Sequence, residues 1–378
     1  MPTNTPTVDS SDIFELVIES LSYFGGRGVG RHEGVVVFVP ATAPQDRVRV
    51  RVTARKARFW EAEVVQVISP SPHRRQPPCP VALRCGGCTW QHIDYAEQIR
   101  QKEKILRDSL RGLKDFAELP FLAAPSEFHY RNRIQLQVQD GRFGFFAQRS
   151  RRLVEIKECW IAETDLNARL RQLTEADLRG VQRLELAITE DDQVRQWSAQ
   201  RDPSLALFSQ VNRAQNEVLR RLVAQLAQEL QSKPAWIMDL YSGSGNLAEP
   251  LQSAFPGVPL TAVELSKASV QRGRQRFPKM QWKDGDVAEV LAHLSPRSGP
   301  GLIVLDPPRP GCEREVLSQI ERHSPAGIVY VSCNPSTFAR DVQRLQEKGR
   351  FKLLKVQGLD MFPQTEHVEL VASLCAVT

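Results

Sequence analysis

The chain has 378 residues, 41% hydrophobic and 25% charged, which predicts a globular protein of two or three domains. No apolar run is long enough to cross a bilayer, and Met1 to Ser11 lacks the basic-then-apolar order of a secretory leader, so the expectation is a cytoplasmic protein without a membrane partner. The formal charge of +6 is concentrated. Residues 21–160 carry 24 Lys or Arg against 14 acids, whereas residues 161–378 carry 26 of each, and such a basic block favours a polyanion.

Residues 1–11 read as a disordered tail. Residues 12–71 read as a small β-barrel of OB type. Arg47-Val-Arg-Val-Arg-Val-Thr53 alternates with a period of two, Val35 to Val39 is a second strand and Trp60 to Ile68 a third, with a glycine-rich connection at Phe24 to Gly30. The proline-rich stretch Ser69 to Pro80 reads as a linker. Residues 72–204 are expected to form a mainly β central domain. Its first part, about 92–122, contains a helix over Tyr95 to Leu113 that is expected to pack on the domain that follows. Tyr130 to Val138 alternates as a strand, and Gly141 to Phe146 and Leu153 to Ile156 continue an antiparallel sheet.

From residue 205 to 378 the pattern changes. An amphipathic helix over Asn212 to Leu230 precedes apolar strands at Trp236–Leu240, Leu260–Glu264, Leu302–Asp306 and Ile328–Val331, separated by helical segments. This is the pattern of a doubly wound α/β sheet. Asp239-Leu-Tyr-Ser-Gly-Ser-Gly-Asn246 follows the first strand, and its glycines permit close approach to a ligand. Glu264 ends the next strand, where an acid suits a ribose diol, Asp286 follows a short third strand, and Asp306 ends the fourth. Each acid alone could be a helix N-cap. As a set at the carboxyl ends of parallel strands they favour a nucleoside cofactor, S-adenosylmethionine over NAD.

Val331-Ser-Cys-Asn-Pro335 places Cys333 on the same rim, in a polar turn. A thiolate there can add to carbon 6 of a pyrimidine and make carbon 5 nucleophilic. Arg309 and Arg340 are the cations available to favour the thiolate. A base must then remove the proton from carbon 5. Glu369 is the first choice, with Glu366 and His367 as rivals.

The seven cysteines are an odd number in a chain without a leader, which argues against a disulfide framework. Cys79, Cys85 and Cys88 with a distant Cys159 make a four-thiolate set that suits zinc or an iron–sulfur cluster on spacing alone, and three close cysteines with a remote fourth lean toward the cluster. Arg27, Arg31, Arg131 and Arg133 are the candidates to meet phosphates.

Three boxes resemble the RNA uridine-C5 methyltransferase family: Asp306-Pro-Pro-Arg-Pro-Gly311, Ser332-Cys-Asn-Pro-Ser-Thr337 and Phe362-Pro-Gln-Thr-Glu-His-Val-Glu369. The resemblance runs over nearly the whole chain. Ser22-Tyr-Phe-Gly-Gly-Arg-Gly-Val-Gly-Arg31 is similar to the opening of a TRAM domain, the RNA-binding barrel that many members carry. The resemblance implies a class I S-adenosylmethionine-dependent methyltransferase fold with an N-terminal TRAM barrel and a central β domain. It makes Cys333 the nucleophile and Glu369 the base. It assigns the cofactor to Gln210, Tyr241, Gly243, Asn246, Glu264, Asp286 and Asp306, and a 4Fe–4S cluster to Cys79, Cys85, Cys88 and Cys159. Tyr241-Ser242 departs from the Phe-Cys that many members have. The expected substrate is a uridine in RNA, with large-subunit rRNA ahead of the T-loop of tRNA, and the protein is expected to act as a monomer without an obligate protein partner. Two other readings are open on the sequence. A nucleic-acid amine methyltransferase would use Asp306-Pro-Pro but has no need of Cys333, and a non-catalytic RNA-binding protein would leave the three boxes unexplained.

Overall fold

The computed structural model describes residues 12–189, 191–198, 209–347 and 349–377, so the tail expected over residues 1–11 lies outside the described residues. Three sheets succeed one another along the chain. The first contains β1 (Ile13–Val17), β2 (Ser20–Leu21), β3 (Gly28–His32), β4 (Val35–Val39), β5 (Arg47–Arg55) and β6 (Phe59–Ser69), in the order β1-β5-β6-β4-β3-β2. The alternation in β5 is physical. Val48 and Val50 are fully buried, while Arg47, Arg51 and Arg55 pair on the outer face with Glu15, Glu63 and Asp12.

The proline-rich stretch after β6 is not the free linker its composition predicts. Buried Asp46 accepts from the Ser71 backbone N–H at 2.8 Å and from the Arg74 guanidinium at 2.7 Å, and Arg75 donates to Gln364 at 2.9 Å. A carboxylate with no exposed surface needs such partners, and they fix the barrel to the start of the central domain. Next come α1 (Tyr95–Ser109), capped by Asp94, and β7 (Ala117–Leu122). No strand is expected at β7 from the sequence, because Pro120 breaks the pattern. The strand lies on the outer edge of the third sheet, parallel to the strand over Phe351–Leu359, where a missing N–H costs no ladder bond.

The second sheet holds β8 (Arg133–Gln139), β9 (Arg142–Phe146) and β10 (Leu153–Glu155). After α2 (Thr164–Arg171) and α3 (Glu175–Leu178) it adds β11 (Arg183–Ile188) and β12 (Val194–Trp197), in the antiparallel order β10-β9-β8-β11-β12. Its inward residues Ile134, Leu136, Leu184 and Leu186 pack on Leu166 and Leu170 of α2.

The third sheet comes after α4 (Arg213–Leu230), which Asn212 caps. It is built from β13 (Trp236–Leu240), α5 (Ala248–Ala254), β14 (Leu260–Glu264), α6 (Lys267–Arg276), β15 (Gln281–Asp284), α7 (Val287–His293), β16 (Gly301–Leu305), α8 (Arg314–His323), β17 (Gly327–Ser332), α9 (Pro335–Glu347), β18 (Phe351–Leu359) and β19 (Glu369–Ala376). The order is β15-β14-β13-β16-β17-β19-β18-β7. Strands β13, β16 and β17 are buried along their whole length, as a sheet covered by helices on both faces requires. The last pair, β18 and β19, closes the sheet antiparallel and is not anticipated from the sequence.

Lys102 of α1 has no exposed surface. It donates to Asp360 at 2.6 Å and to the Phe362 carbonyl at 2.9 Å. Tyr95 donates to the other oxygen of Asp360 at 3.0 Å. Helix α1 is thereby locked onto the segment that leads from β18 to β19. No helix among the described residues is long and apolar enough to cross a membrane.

Candidate active site

Strands β13, β14, β15 and β16 run parallel, and the order reverses between β13 and β16. That crevice is where such sheets bind ligands. Tyr241 and Gly243 turn the chain after β13 with positive φ of 61° and 55°. Gly243 has open space where a side chain would stand, and its N–H donates to Glu264 at 2.9 Å. Glu264 also accepts from Ser266 N–H at 2.7 Å, so the acid at the end of β14 holds the glycine turn in place. Asp286 caps α7 through one oxygen, Oδ1, which accepts from Ala288 and Glu289. Asn246 exchanges two amide hydrogen bonds with Asn216 of α4, at 2.8 and 2.9 Å. Gln210 stands two residues before the α4 cap, its carbonyl accepting from Asn132 of the central domain at 3.1 Å.

Asp239, at the floor of this crevice, is fully buried, and neither carboxylate oxygen has a hydrogen-bond partner among the described residues. Burial and the nearby charges of Asp306 and Glu264 push its pKa well above the carboxylate range. Asp306 is pushed up to about 7 by burial. An orphaned buried acid, an open glycine turn and an acid at the end of β14 fit a polar ligand carrying hydroxyl, amine or positive charge. In the sequence Asp239 marks only the start of the turn. Its unsatisfied burial is visible only in the fold.

Strand β17 ends one residue before Cys333, and β19 begins at Glu369. Ser332 lies opposite Leu370 in the antiparallel ladder, so the next rung sets Cys333 against Glu369. The Glu369 charge acts on Cys333. Burial, and then the Glu369 charge, raise the Cys333 thiol to about 11, and the Arg309 guanidinium opposes them. Burial and Asp306 hold Glu369 well above the carboxylate range. Glu366 and His367 have partners of their own. Glu366 accepts from Thr89 at 2.7 Å, and His367 lies 3.4 Å from Arg309. Of the two cations expected near the thiol, Arg309 acts on it. Arg340 is bound to Asp341 and to the Pro310 carbonyl and supports the Asp306 loop instead.

One neighbour of Cys333 comes from far away in the chain. Tyr23, in the barrel, donates its hydroxyl to the Cys333 carbonyl at 2.8 Å. No local sequence signal joins residues 310 positions apart.

Cys79, Cys85, Cys88 and Cys159 line one cavity of about 190 Å³ in the central domain, with Arg131, Phe145 and Trp160 in its wall. Burial raises Cys85 to about 11 and Cys88 to about 12, and in both the other thiols of the set push further in the same direction. Among the described residues, no group of three or more His, Cys, Asp or Glu is arranged to hold a metal ion.

The four arginines differ. Arg27 is buried, paired with Glu61 at 2.8 Å and stacked over Phe38 at 4.5 Å. Arg31 is exposed, with Glu19 3.9 Å away. Arg133 pairs with Glu185 at 3.0 Å and lies over Trp197. Arg131 donates to the Arg133 carbonyl at 2.9 Å and reaches the cysteine cavity.

The model of the tRNA (uracil-5-)-methyltransferase family matches residues 300–376, and that of the TRAM domain matches residues 12–65. An uncharacterized RNA methyltransferase of Bdellovibrio bacteriovorus is 40% identical over 95% of this chain and 94% of its own. The chain belongs to the RNA uracil-5-methyltransferase family. The 23S rRNA (uracil(1939)-C(5))-methyltransferase RlmD of Dichelobacter nodosus is 32% identical over 92% of this chain and 95% of its own. Among solved structures, the Pyrococcus abyssi tRNA (uracil-54, C5)-methyltransferase in complex with S-adenosyl-L-homocysteine superposes with a TM-score of 0.73. It covers 96% of this chain and 100% of its own at 24% identity, a likeness of fold. The chain is an S-adenosylmethionine-dependent RNA uracil-5-methyltransferase with a class I methyltransferase fold and a TRAM domain. Membership of this family sets aside the amine methyltransferase and the non-catalytic RNA-binding protein.

Proposed function

We propose that this enzyme methylates carbon 5 of a uridine in large-subunit rRNA through a covalent adduct with Cys333, and that Glu369 releases the product. The opposed placement of Cys333 and Glu369 at the ends of β17 and β19 carries this reading. The Cys333 thiol gives its proton to solvent, and Arg309 stabilises the thiolate. Sulfur then bonds to carbon 6, and the electron pair of the carbon 5–carbon 6 double bond moves to carbon 5 and its neighbouring carbonyl. S-adenosylmethionine would supply an electrophilic methyl group, which carbon 5 takes as the sulfur–methyl bond breaks and S-adenosylhomocysteine is left. Glu369 takes the proton from carbon 5, the double bond re-forms and the Cys333 thiolate leaves.

Burial and the Asp306 charge hold the Glu369 carboxyl well above the ordinary range, so once its own proton has passed to solvent the carboxylate is a strong acceptor for the proton on carbon 5.

Gln210, Tyr241, Gly243, Asn246, Glu264, Asp286 and Asp306 are the proposed cofactor contacts, joined by Asp239 on account of its unpartnered carboxylate. Cys79, Cys85, Cys88 and Cys159 would hold a 4Fe–4S cluster. Their thiols surround a cavity rather than converging on one point, and buried thiols that raise one another's pKa are relieved by a cationic centre. In this reading residues 12–71 and 72–204 hold the RNA, residues 205–378 carry the chemistry, and the protein works as a cytoplasmic monomer. The preference for rRNA rests on likeness to the Dichelobacter nodosus enzyme.

The test uses labelled S-adenosylmethionine with separate tRNA and rRNA from cells lacking the gene. Label in 5-methyluridine of rRNA, absent with Cys333→Ala, supports the reading. Label in tRNA alone removes the rRNA assignment, and undiminished label with Cys333→Ala removes the covalent mechanism.

A further inference from the structure

We propose that Phe24, in the barrel loop beside Cys333, is a stacking platform for an unpaired nucleobase next to the target nucleotide. The proposal rests on the RNA reading of the active site above.

Among the described residues, Phe24 is the one aromatic side chain in the set of exposed large hydrophobics, with 67% of its surface open. A single exposed apolar residue needs no explanation by itself. The setting of this one does. The loop from Ser22 to Arg27 is tied down on every side while the ring is left out. Tyr23 donates to the Cys333 carbonyl at 2.8 Å, and Trp90 donates to the Gly26 carbonyl at 2.9 Å. Gln148 of the central domain donates to the Gly25 carbonyl at 3.4 Å. Both the Ser22 hydroxyl and Arg27 donate to the carbonyl of Phe24 itself, at 3.2 and 3.3 Å. Barrel, central domain and catalytic domain therefore hold one short loop, and the backbone of Phe24 is fixed where its side chain is free. Such fixing lowers the entropy lost when a flat ligand is bound.

The ring's position is also defined. Phe24 meets Tyr23 edge-on, with centroids 5.3 Å apart and planes at 75°, and the hydroxyl of the same Tyr23 rests on the nucleophile's own backbone. Tyr23 feels the charges of Cys333, Arg309, Glu369 and Glu366, which places it within the catalytic group. A T-shaped contact with Tyr23 leaves at least one face of the Phe24 ring for another partner. A uridine that reaches Cys333 must leave its stack, and its neighbours lose a stacking surface when it does. An aromatic ring about one or two nucleotides from the nucleophile replaces that surface, and it tolerates any base because every base has a π face. Arg149, exposed and near Gly25, lies beside the loop with Glu61 3.8 Å away.

The test is fluorescence anisotropy with a labelled oligouridylate of about twelve nucleotides and the full-length protein as native, Phe24→Ala, Phe24→Leu and Phe24→Tyr forms. Calorimetric binding of S-adenosylhomocysteine, expected to be equal in all four, establishes that the variants fold. Stacking predicts at least about a fivefold weaker oligonucleotide affinity for Ala and for Leu, and near-native affinity for Tyr. Native affinity in Phe24→Ala overturns the proposal. So does Leu performing as well as Tyr, since any apolar surface would then suffice. The readout needs no methylation, so it stands or falls separately from the uridine-C5 chemistry.

Discussion

Cys333 and Glu369 occupy facing places just beyond the last rung of one antiparallel ladder, Ser332 against Leu370, so the proposed nucleophile and proton acceptor are brought together by backbone pairing. Removing each should cause a different failure. Cys333→Ala is expected to lower methylation on the order of 10⁴-fold or more, because the covalent route is lost. Glu369→Gln is expected to form the adduct and transfer the methyl group but to release product slowly. Denaturing gels of Glu369→Gln with labelled RNA check this: a methylated protein–RNA band should accumulate, and its absence alongside ordinary turnover would remove Glu369 from the role of base.

The acidity of Cys333 sets the pH dependence. Its thiol is raised from the ordinary value to about 11, so near neutral pH the sulfur is almost entirely protonated in the free enzyme. The thiolate fraction, and with it kcat/KM, then rises about tenfold per pH unit on the alkaline side of neutrality until another group limits the rate. Arg309 is the cation that opposes this rise, so Arg309→Gln moves the profile to higher pH and depresses kcat/KM most at the acid end. A pH–rate series for both proteins decides it. A flat native profile from about pH 7 to 9 would mean that thiolate formation is not what limits addition.

Much of this site is legible in the sequence because it lies in short boxes at strand ends. Asp306, Cys333 and Glu369 each follow or begin a strand, and the parallel strands before them are continuous apolar runs that only a covered sheet produces. The illegible part depends on contacts between distant segments. Tyr23 meets Cys333 across the whole chain, Asp239 is orphaned only once the sheet closes over it, and β7 joins the catalytic sheet despite Pro120 because it lies on an edge. Composition misleads at the proline-rich stretch, which reads as a linker although Asp46 pins it. The partner of Arg27, Glu61, is visible only in the fold.

Arg31 and Arg133 should therefore separate in a salt series. Arg31 is exposed with a distant acid, whereas Arg133 is engaged with Glu185 and Trp197. If Arg31 meets a phosphate, Arg31→Ala weakens RNA binding and reduces the slope of log affinity against log salt by about one. Arg133→Ala is expected to leave that slope nearly unchanged while lowering the melting temperature. Equal slopes for native protein and Arg31→Ala would show that Arg31 does not contact the backbone.

The cysteine cavity predicts a metal-dependent fold for the central domain. Protein purified without oxygen is expected to carry about four irons per chain and a broad visible absorbance, both lost in Cys88→Ser. Because the cavity lies between β9, the segment around Cys159 and Arg131, loss of its contents should loosen the central domain before the catalytic sheet. Hydrogen exchange in the two regions checks the order. Zinc in place of iron after anaerobic purification would refute the cluster while leaving the four ligands in place.

Lys102 and Asp360 lock α1 to the chain that leads to Glu369. Both are without exposed surface, and removing one leaves the other as a buried, unpaired charge. Breaking such a pair costs roughly 3–5 kcal/mol, more than replacing both partners together with apolar groups of similar size. Lys102→Met alone is thus expected to destabilise strongly, and Lys102→Met with Asp360→Leu to recover part of the loss. The double variant would still lack the bond from Lys102 to the Phe362 carbonyl at 2.9 Å, which holds the start of the segment ending at Glu369. Its stability should therefore recover further than its activity. Denaturant melts and initial rates on the same preparations measure the two, and a parallel recovery of both would show that the lock has no part in placing the base.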